Sequence, residues 1–368
     1  MDFHELFPDA RIAHYDGEIA MYDGNTFELD KLRFTTIPQT TPSPDTKAVW
    51  IDGGHASIAS TPSRCIAIVK TCAVHTRGME RERLDIATIL VSVTATDNDT
   101  FTVRTKRIEG GANIAASLPE SIRRDELART QGERALLTPV MIIGTLRALC
   151  EDAVATQALG TADADGKRGN SKNDLPRDII VVKDGSLRTP DEYLRRHCAI
   201  DDRRLFALAK TSTLLTNGGR PLTAAIAERA PDRAAWSASL ISHETARNVS
   251  TTAETVTQSS TAMCVRLHPH AQHAFFLENA GAKSDIENSM QTALETLRAW
   301  SADAAFIGYP YPLILADQLA RVTDQEREMW RMMLAADAAS AERLRTELRA
   351  SDAHDVLEHI LYGNKNLQ

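Results

Sequence analysis

Two Asp-Gly pairs each close an apolar, β-rich run: Asp52-Gly53 ends AVWI, and Asp184-Gly185 ends IIVVK. An Asp-Gly pair by itself marks a turn. If both runs are neighbouring central strands, the two carboxylates stand side by side at one sheet edge, where repulsion costs energy unless a divalent cation lies between them. Oxygen donors of this kind suit Mg²⁺ or Mn²⁺. Three further groups could join them. Glu151 lies late in a helix expected over 138–159, beside the apolar stripe Leu146, Cys150 and Val154, and reads either as an acid at the sheet edge or as a solvated helix glutamate. Lys210 follows the apolar LFALA, an odd place for a charge unless it meets an anion or a carboxylate. Asp317 interrupts an apolar helix started by Pro310 and Pro312 and needs a partner there.

Other chemistries lack their residues. GKRGNS at 166–171 misses the first glycine of a phosphate-cradling Walker loop and follows no strand. His243-Glu244 is followed by Arg247 where a zincin helix needs its second histidine. His268, His270 and His273 could ligate a metal, but they flank Pro269 between two strand signals and read better as a polar hairpin tip. The five cysteines (65, 72, 150, 198 and 264) are scattered through apolar runs, as buried free thiols are, and suggest no disulfide framework.

The elements that must position the acids follow from periodicity. The first strand signal, Lys47 to Asp52, comes after the Thr/Pro-rich TTIPQTTPSPD, so residues 1–44 are expected to form an arm. Runs at 65–74, 88–95 and 100–108 complete a meander of about four strands. A helical region is expected from Pro119 to about Leu159, then a polar loop at 157–176, then a continuous apolar strand at 178–187, buried on both faces. Strands are expected at 205–215, 236–241, 262–268 and 273–278, and helices at 285–302, 312–322 and 324–362. Antiparallel strands, a helix, a central strand and more helices make a mixed α/β layout, in the order of an RNase H-like sheet flanked by helices. The expected domain runs from 45 to 325, with C-terminal helices over 326–368.

Composition sets the frame. The chain has 368 residues, 43% hydrophobic and 25% charged, which suits one large or two ordinary folded domains and excludes wholesale disorder. No membrane span or secretory signal is read, which places the protein in the cytoplasm. The net charge of −8 argues at first against nucleic acid, but residues 285–368 carry −6 of it, leaving −2 for the preceding 284. Basic groups such as Arg104, Lys106 and Arg107, or Arg203 and Arg204, read as solvated faces.

Taken in order, WIDGGHAS, LCEDA, VVKDGSL, ALAKTSTLL, RLHPHAQHAFFLE and GYPYPLILADQLARV resemble the NurA nucleases, partners of the HerA hexameric DNA translocase, over about residues 45–325. The resemblance implies an RNase H-like fold and places the family's acids on Asp52, Glu151 and Asp184, its lysine on Lys210 and its tyrosine on Tyr309. Asp317 stands where some relatives have histidine, and Gly54 where the family usually has serine. The implied activity is Mn²⁺- or Mg²⁺-dependent DNA cleavage, as a 5′-to-3′ exonuclease and single-strand endonuclease in end resection and repair. Two ions about 4 Å apart would be held by Asp52, Glu151, Asp184 and Asp317. Lys210 would offset phosphate charge, and Tyr309 would either act in catalysis or brace an acid. The implied partners are single-stranded DNA, duplex ends, a HerA-like hexameric ATPase and a second copy as homodimer. A non-catalytic adaptor on a HerA-like ring, or a nuclease acting on RNA or branched DNA, is the alternative.

Overall fold

The computed structural model describes residues 17–22, 25–96, 99–127, 137–164, 179–187, 193–194, 200, 202–240, 261–281 and 286–337. Thirteen strands are described: β1 (Ile19–Tyr22), β2 (Asn25–Glu28), β3 (Phe34–Thr36), β4 (Lys47–Ser60), β5 (Arg64–Arg77), β6 (Glu80–Ala95), β7 (Thr100–Glu109), β8 (Ser121–Arg123), β9 (Ile179–Asp184), β10 (Leu205–Ala209), β11 (Trp236–Ser239), β12 (Thr261–Arg266) and β13 (Phe275–Asn279). β1 and β2 pair with each other. The other eleven form one sheet in the order β3-β11-β12-β13-β10-β9-β4-β5-β6-β7-β8. Its centre is parallel, β4 with β9 and β9 with β10, and every other neighbour is antiparallel. The stretch β6-β5-β4-β9-β10 is the expected RNase H-like order: an antiparallel meander, a crossover helix, then two strands parallel to the first.

Alternation along β4 decides what each face carries. Ala48 and Trp50 point into a core shared with α5 (Ile286–Trp300) and α6 (Tyr311–Ala320), through Leu294, Leu297, Leu313 and Ala316. Val49 and Ile51 point the other way, onto Ala155, Ala158 and Leu159 of α3 (Pro139–Ala164). By the same period of two, Asp52 continues the Trp50 face and Gly53 the α3 face. The two helix layers remove both faces from water, which is why β9 and β10 read as unbroken apolar runs.

Several sequence readings shift. The region from Pro119 opens with β8 and the short helix α2 (Arg124–Leu127), after the one-turn α1 (Ala112–Ser117); the long helix begins only at Pro139. It then continues to Ala164, so the first part of the expected 157–176 loop is helical, while 165–176 lie outside the described residues. A helix expected nowhere, α4 (Leu222–Arg229), packs Leu222, Ala225 and Ile226 against Trp236, Cys264 and the N-terminal hairpin. The stretch expected as an arm is docked on the body: β3 is an edge strand of the main sheet, and Ala20, Tyr22 and Leu29 are buried.

Of the C-terminal helices, α7 (Asp324–Ala336) is described, capped by Thr323, whose hydroxyl accepts from the Glu326 amide at 3.2 Å. Arg204, read as part of a solvated face, is buried and holds Asp202 through two guanidinium nitrogens. Cys65, Cys72, Cys150 and Cys264 are buried free thiols, as expected; Cys198 lies outside the described residues. Among the described residues no helix is long and apolar enough to cross a membrane.

Candidate metal centre

The parallel register sets β4 and β9 side by side, with Ile51 opposite Lys183, so the next residue of each strand is an aspartate. Asp184 is the last residue of β9, and Gly185 turns the chain away at φ 101°. A third acid descends from α6: one carboxylate oxygen each of Asp52, Asp184 and Asp317 lie within 4.8 Å of one another. Asp52 is buried, and its carboxylate accepts the Gly53 amide at 2.7 Å. Burial, followed by the charges of Asp184 and Glu151, pushes its pKa up to about 7. Protonating one acid in three is how a desolvated carboxylate cluster survives without a cation. Three hard oxygen donors converging on one point fit a hard divalent ion, and such an ion would remove the penalty that Asp52 carries.

Asp184 is the anchored member. Lys210, the first residue after β10, places its ammonium 2.5 Å from Asp184 Oδ2 and 3.8 Å from Asp317 Oδ1. Burial works most strongly against the Lys210 charge, but the bond to Asp184 and the charges of Asp184, Asp317 and Asp52 together outweigh it and raise the pKa. The Tyr309 hydroxyl donates to Asp184 Oδ1 at 3.0 Å, and the Lys210 ammonium lies 5.1 Å from the Tyr309 ring centroid. Burial, then the Asp184 charge, holds the Tyr309 hydroxyl protonated far above neutral pH. Its geometry is that of a brace on an acid.

Glu151 is the one predicted ligand that the structure does not bring into the triad. It stands on α3, on the face to which Gly53 points, and its carboxylate is held by Arg147 Nη1 at 2.5 Å and by Lys183 Nζ at 3.7 Å. Burial raises its pKa while both cations oppose the rise. Gly53 is what lets it approach: a Cβ there would come within 2.5 Å of Glu151 Oε1. Arg147 also donates to the Gly53 carbonyl at 3.0 Å, and the buried Lys183 bonds Asp152. Neither cation was singled out from sequence, although Lys183 interrupts a buried apolar strand much as Lys210 ends one.

Of the histidines, His268 and His270 have ring centroids 5.5 Å apart on the turn between β12 and β13, and among the described residues the three histidines form no group of metal-ligand geometry. His243 and Glu244 lie outside the described residues.

No protein-family model matches the chain, and no curated protein matches it. Among solved structures it is similar to the NurA nuclease from Sulfolobus solfataricus, at a TM-score of 0.42 and 14% identity over 87% of this chain and 88% of that one. It is also similar to endonuclease V from Ciona intestinalis, solved with an inosine-containing 24mer DNA, at 0.32 and 12% over 78% and 87%. A third is the Argonaute of A. aeolicus, at 0.30 and 10% over 76% of this chain and 28% of that one. Likenesses of this size transfer no activity.

Proposed function

We propose that the protein is a divalent-metal-dependent nuclease that hydrolyses DNA phosphodiesters. The observation that carries the reading is the convergence of Asp52, Asp184 and Asp317 beside Lys210. Mn²⁺ or Mg²⁺ bound there would activate water and stabilise the leaving oxygen. Asp184, fixed by Tyr309 and Lys210, presents an ordered ligand. Asp52, to which the Gly53 amide alone donates among the described residues, would ligate in its deprotonated form. Lys210 reaches both Asp184 and Asp317 and so lies where charge would develop on a phosphate held by an ion bound to the triad. Glu151 completes the acid set from the opposite face, across Gly53, with Arg147 and Lys183 setting how far it reaches.

The resemblance of the motifs to NurA nucleases supports the finer reading: 5′-to-3′ exonuclease and single-strand endonuclease action in end resection, as a homodimer engaged with a HerA-like hexameric ATPase. The test is cleavage of 5′- and 3′-labelled single- and double-stranded DNA with Mn²⁺, Mg²⁺ or EDTA. Metal-dependent products that vanish in Asp52→Asn are expected; equal cleavage by wild type and variant would sink the assignment.

A further inference from the structure

A second carboxylate, remote from the triad in sequence, governs the turn that carries Asp184. Glu278, on β13, is 1% exposed and lies inside the apolar run FFLEN. Both its oxygens are engaged. Oε2 accepts the Ser186 hydroxyl at 2.5 Å and the Leu187 amide at 2.7 Å, the residues immediately past Asp184-Gly185. Oε1 accepts the hydroxyl of Tyr22 at 2.9 Å. Tyr22 belongs to the N-terminal hairpin, which is itself tied down by Glu18, fully buried between Arg220 and Arg229 and bonded by Thr216. Among the described residues, chain pairing holds only the start of this turn. The register of β9 with β10 ends at Asp184, and past it the Gly185 amide makes one bond, to the Leu208 carbonyl. Without a second anchor, a glycine at φ 101° leaves the direction of the Asp184 side chain free to wander.

We infer that Glu278, with Tyr22 behind it, is a positioning residue for the metal centre: it fixes the Gly185–Leu187 turn so that Asp184 faces Asp52 and Asp317. The inference rests on the nuclease reading above and makes the N-terminal hairpin a working part of the same site. A ligand misaimed by about 1 Å loses affinity for the ion first, and chemistry recovers when the ion is supplied in excess.

The experiment uses the full chain. Glu278→Leu removes the acceptor contacts to Ser186, Leu187 and Tyr22. Glu278→Gln keeps them, because the amide oxygen can serve Ser186 and Leu187 while its NH₂ donates to the Tyr22 oxygen. Mn²⁺ affinity is measured by calorimetry without DNA, and the Mn²⁺ concentration for half-maximal cleavage is measured in parallel. Glu278→Leu is expected to raise the Mn²⁺ dissociation constant and the half-maximal concentration at least tenfold, with cleavage at saturating Mn²⁺ within a few-fold of wild type, and Glu278→Gln to stay within threefold of wild type throughout. Ser186→Ala, which loses one hydroxyl, is expected to move both in the same direction by a smaller factor, and it decides the matter if Glu278→Leu does not fold. Variants with lowered melting points but wild-type Mn²⁺ affinity would show Glu278 to be a purely structural acid and overturn the inference. A wild type that neither binds Mn²⁺ nor cleaves would instead overturn the nuclease reading itself.

Discussion

The carbonyl oxygen of Ala320, at the end of α6, lies where a Cβ on Gly54 would have to be. Glycine at position 54 therefore sets how closely α6 approaches β4, and Asp317 sits one helical turn back from that contact, its carbonyl accepting the Arg321 amide at 3.0 Å. Any side chain at this position would collide with the Ala320 backbone. Gly54→Ala is expected to push α6 outward and withdraw Asp317 from the other two acids. The checks are a Mn²⁺ titration of cleavage, shifted at least tenfold to higher concentration, and a far-UV circular dichroism spectrum that stays unchanged.

Asp52→Asn is expected to stabilise the protein in EDTA, and more so at pH 8 than at pH 5. The folded-state pKa of Asp52, about 7, exceeds its ordinary 3.8, so the folded protein holds this proton more tightly than the unfolded chain. The resulting loss of stability begins as pH rises through 3.8 and is complete above 7, where it reaches about 4 kcal/mol. Melting curves at the two pH values report it directly; a variant less stable than wild type at pH 8 would contradict the assigned repulsion.

Asp184→Ala should behave in the opposite sense. This acid has partners, Lys210 and Tyr309, and its removal strands the buried Tyr309 hydroxyl. A loss of about 1–3 kcal/mol is expected with or without metal, together with loss of cleavage. Denaturant melts of the two aspartate variants side by side give the comparison, and a gain for both would mean that the bonds to Asp184 contribute nothing.

Tyr309→Phe separates a brace from a nucleophile. If the hydroxyl only orients Asp184, the variant retains roughly a tenth of wild-type turnover, as fits the loss of one hydrogen bond to a charged group. Complete inactivity, with a DNA adduct trapped on the wild-type tyrosine, would overturn the role. Lys210→Met is expected to be the more damaging change, about a hundredfold in turnover, because it removes the cation facing the phosphate.

Asp317→His tests whether the third acid is a ligand. The side chain is 36% exposed, and Arg321 lies 3.3 Å from it, so it is not a buried acid on which the fold depends. Partial activity that favours Mn²⁺ over Mg²⁺ is expected, since imidazole suits the softer ion. A melting point that falls equally with and without metal would assign Asp317 to the scaffold.

Asp52, Asp184 and Lys210 are legible in the sequence because each is a charge that closes an apolar run; Asp184 and Lys210 do so where their strands end, whereas β4 carries on past the buried Asp52 to Ser60. Glu278 in FFLEN and Lys183 in IIVVK carry a related signal from within a run, where it is easily passed over as a strand irregularity. Glu151 is readable as an acid on the right helix, but its partners are not: they depend on which face of β4 meets α3, and Gly53 sets that contact in three dimensions. The central order of the sheet follows from the succession of elements, an antiparallel meander, a helix and then unbroken apolar strands. The hairpin at 19–28 does not, because its four-residue strands are too short to show a period and become strands by burying Ala20 and Tyr22 against the body.

The chain order of the triad also sets a schedule. Asp52 and Asp184 emerge before Asp317, which arrives on α6, and α6 must dock against Gly54 before the third oxygen reaches the others. At ordinary elongation speeds the interval between Asp184 and Asp317 lasts on the order of ten seconds. Throughout it, the growing polypeptide holds two acids and no assembled centre. The third acid is thus the last to arrive, and the cluster closes only when α6 has docked on β4.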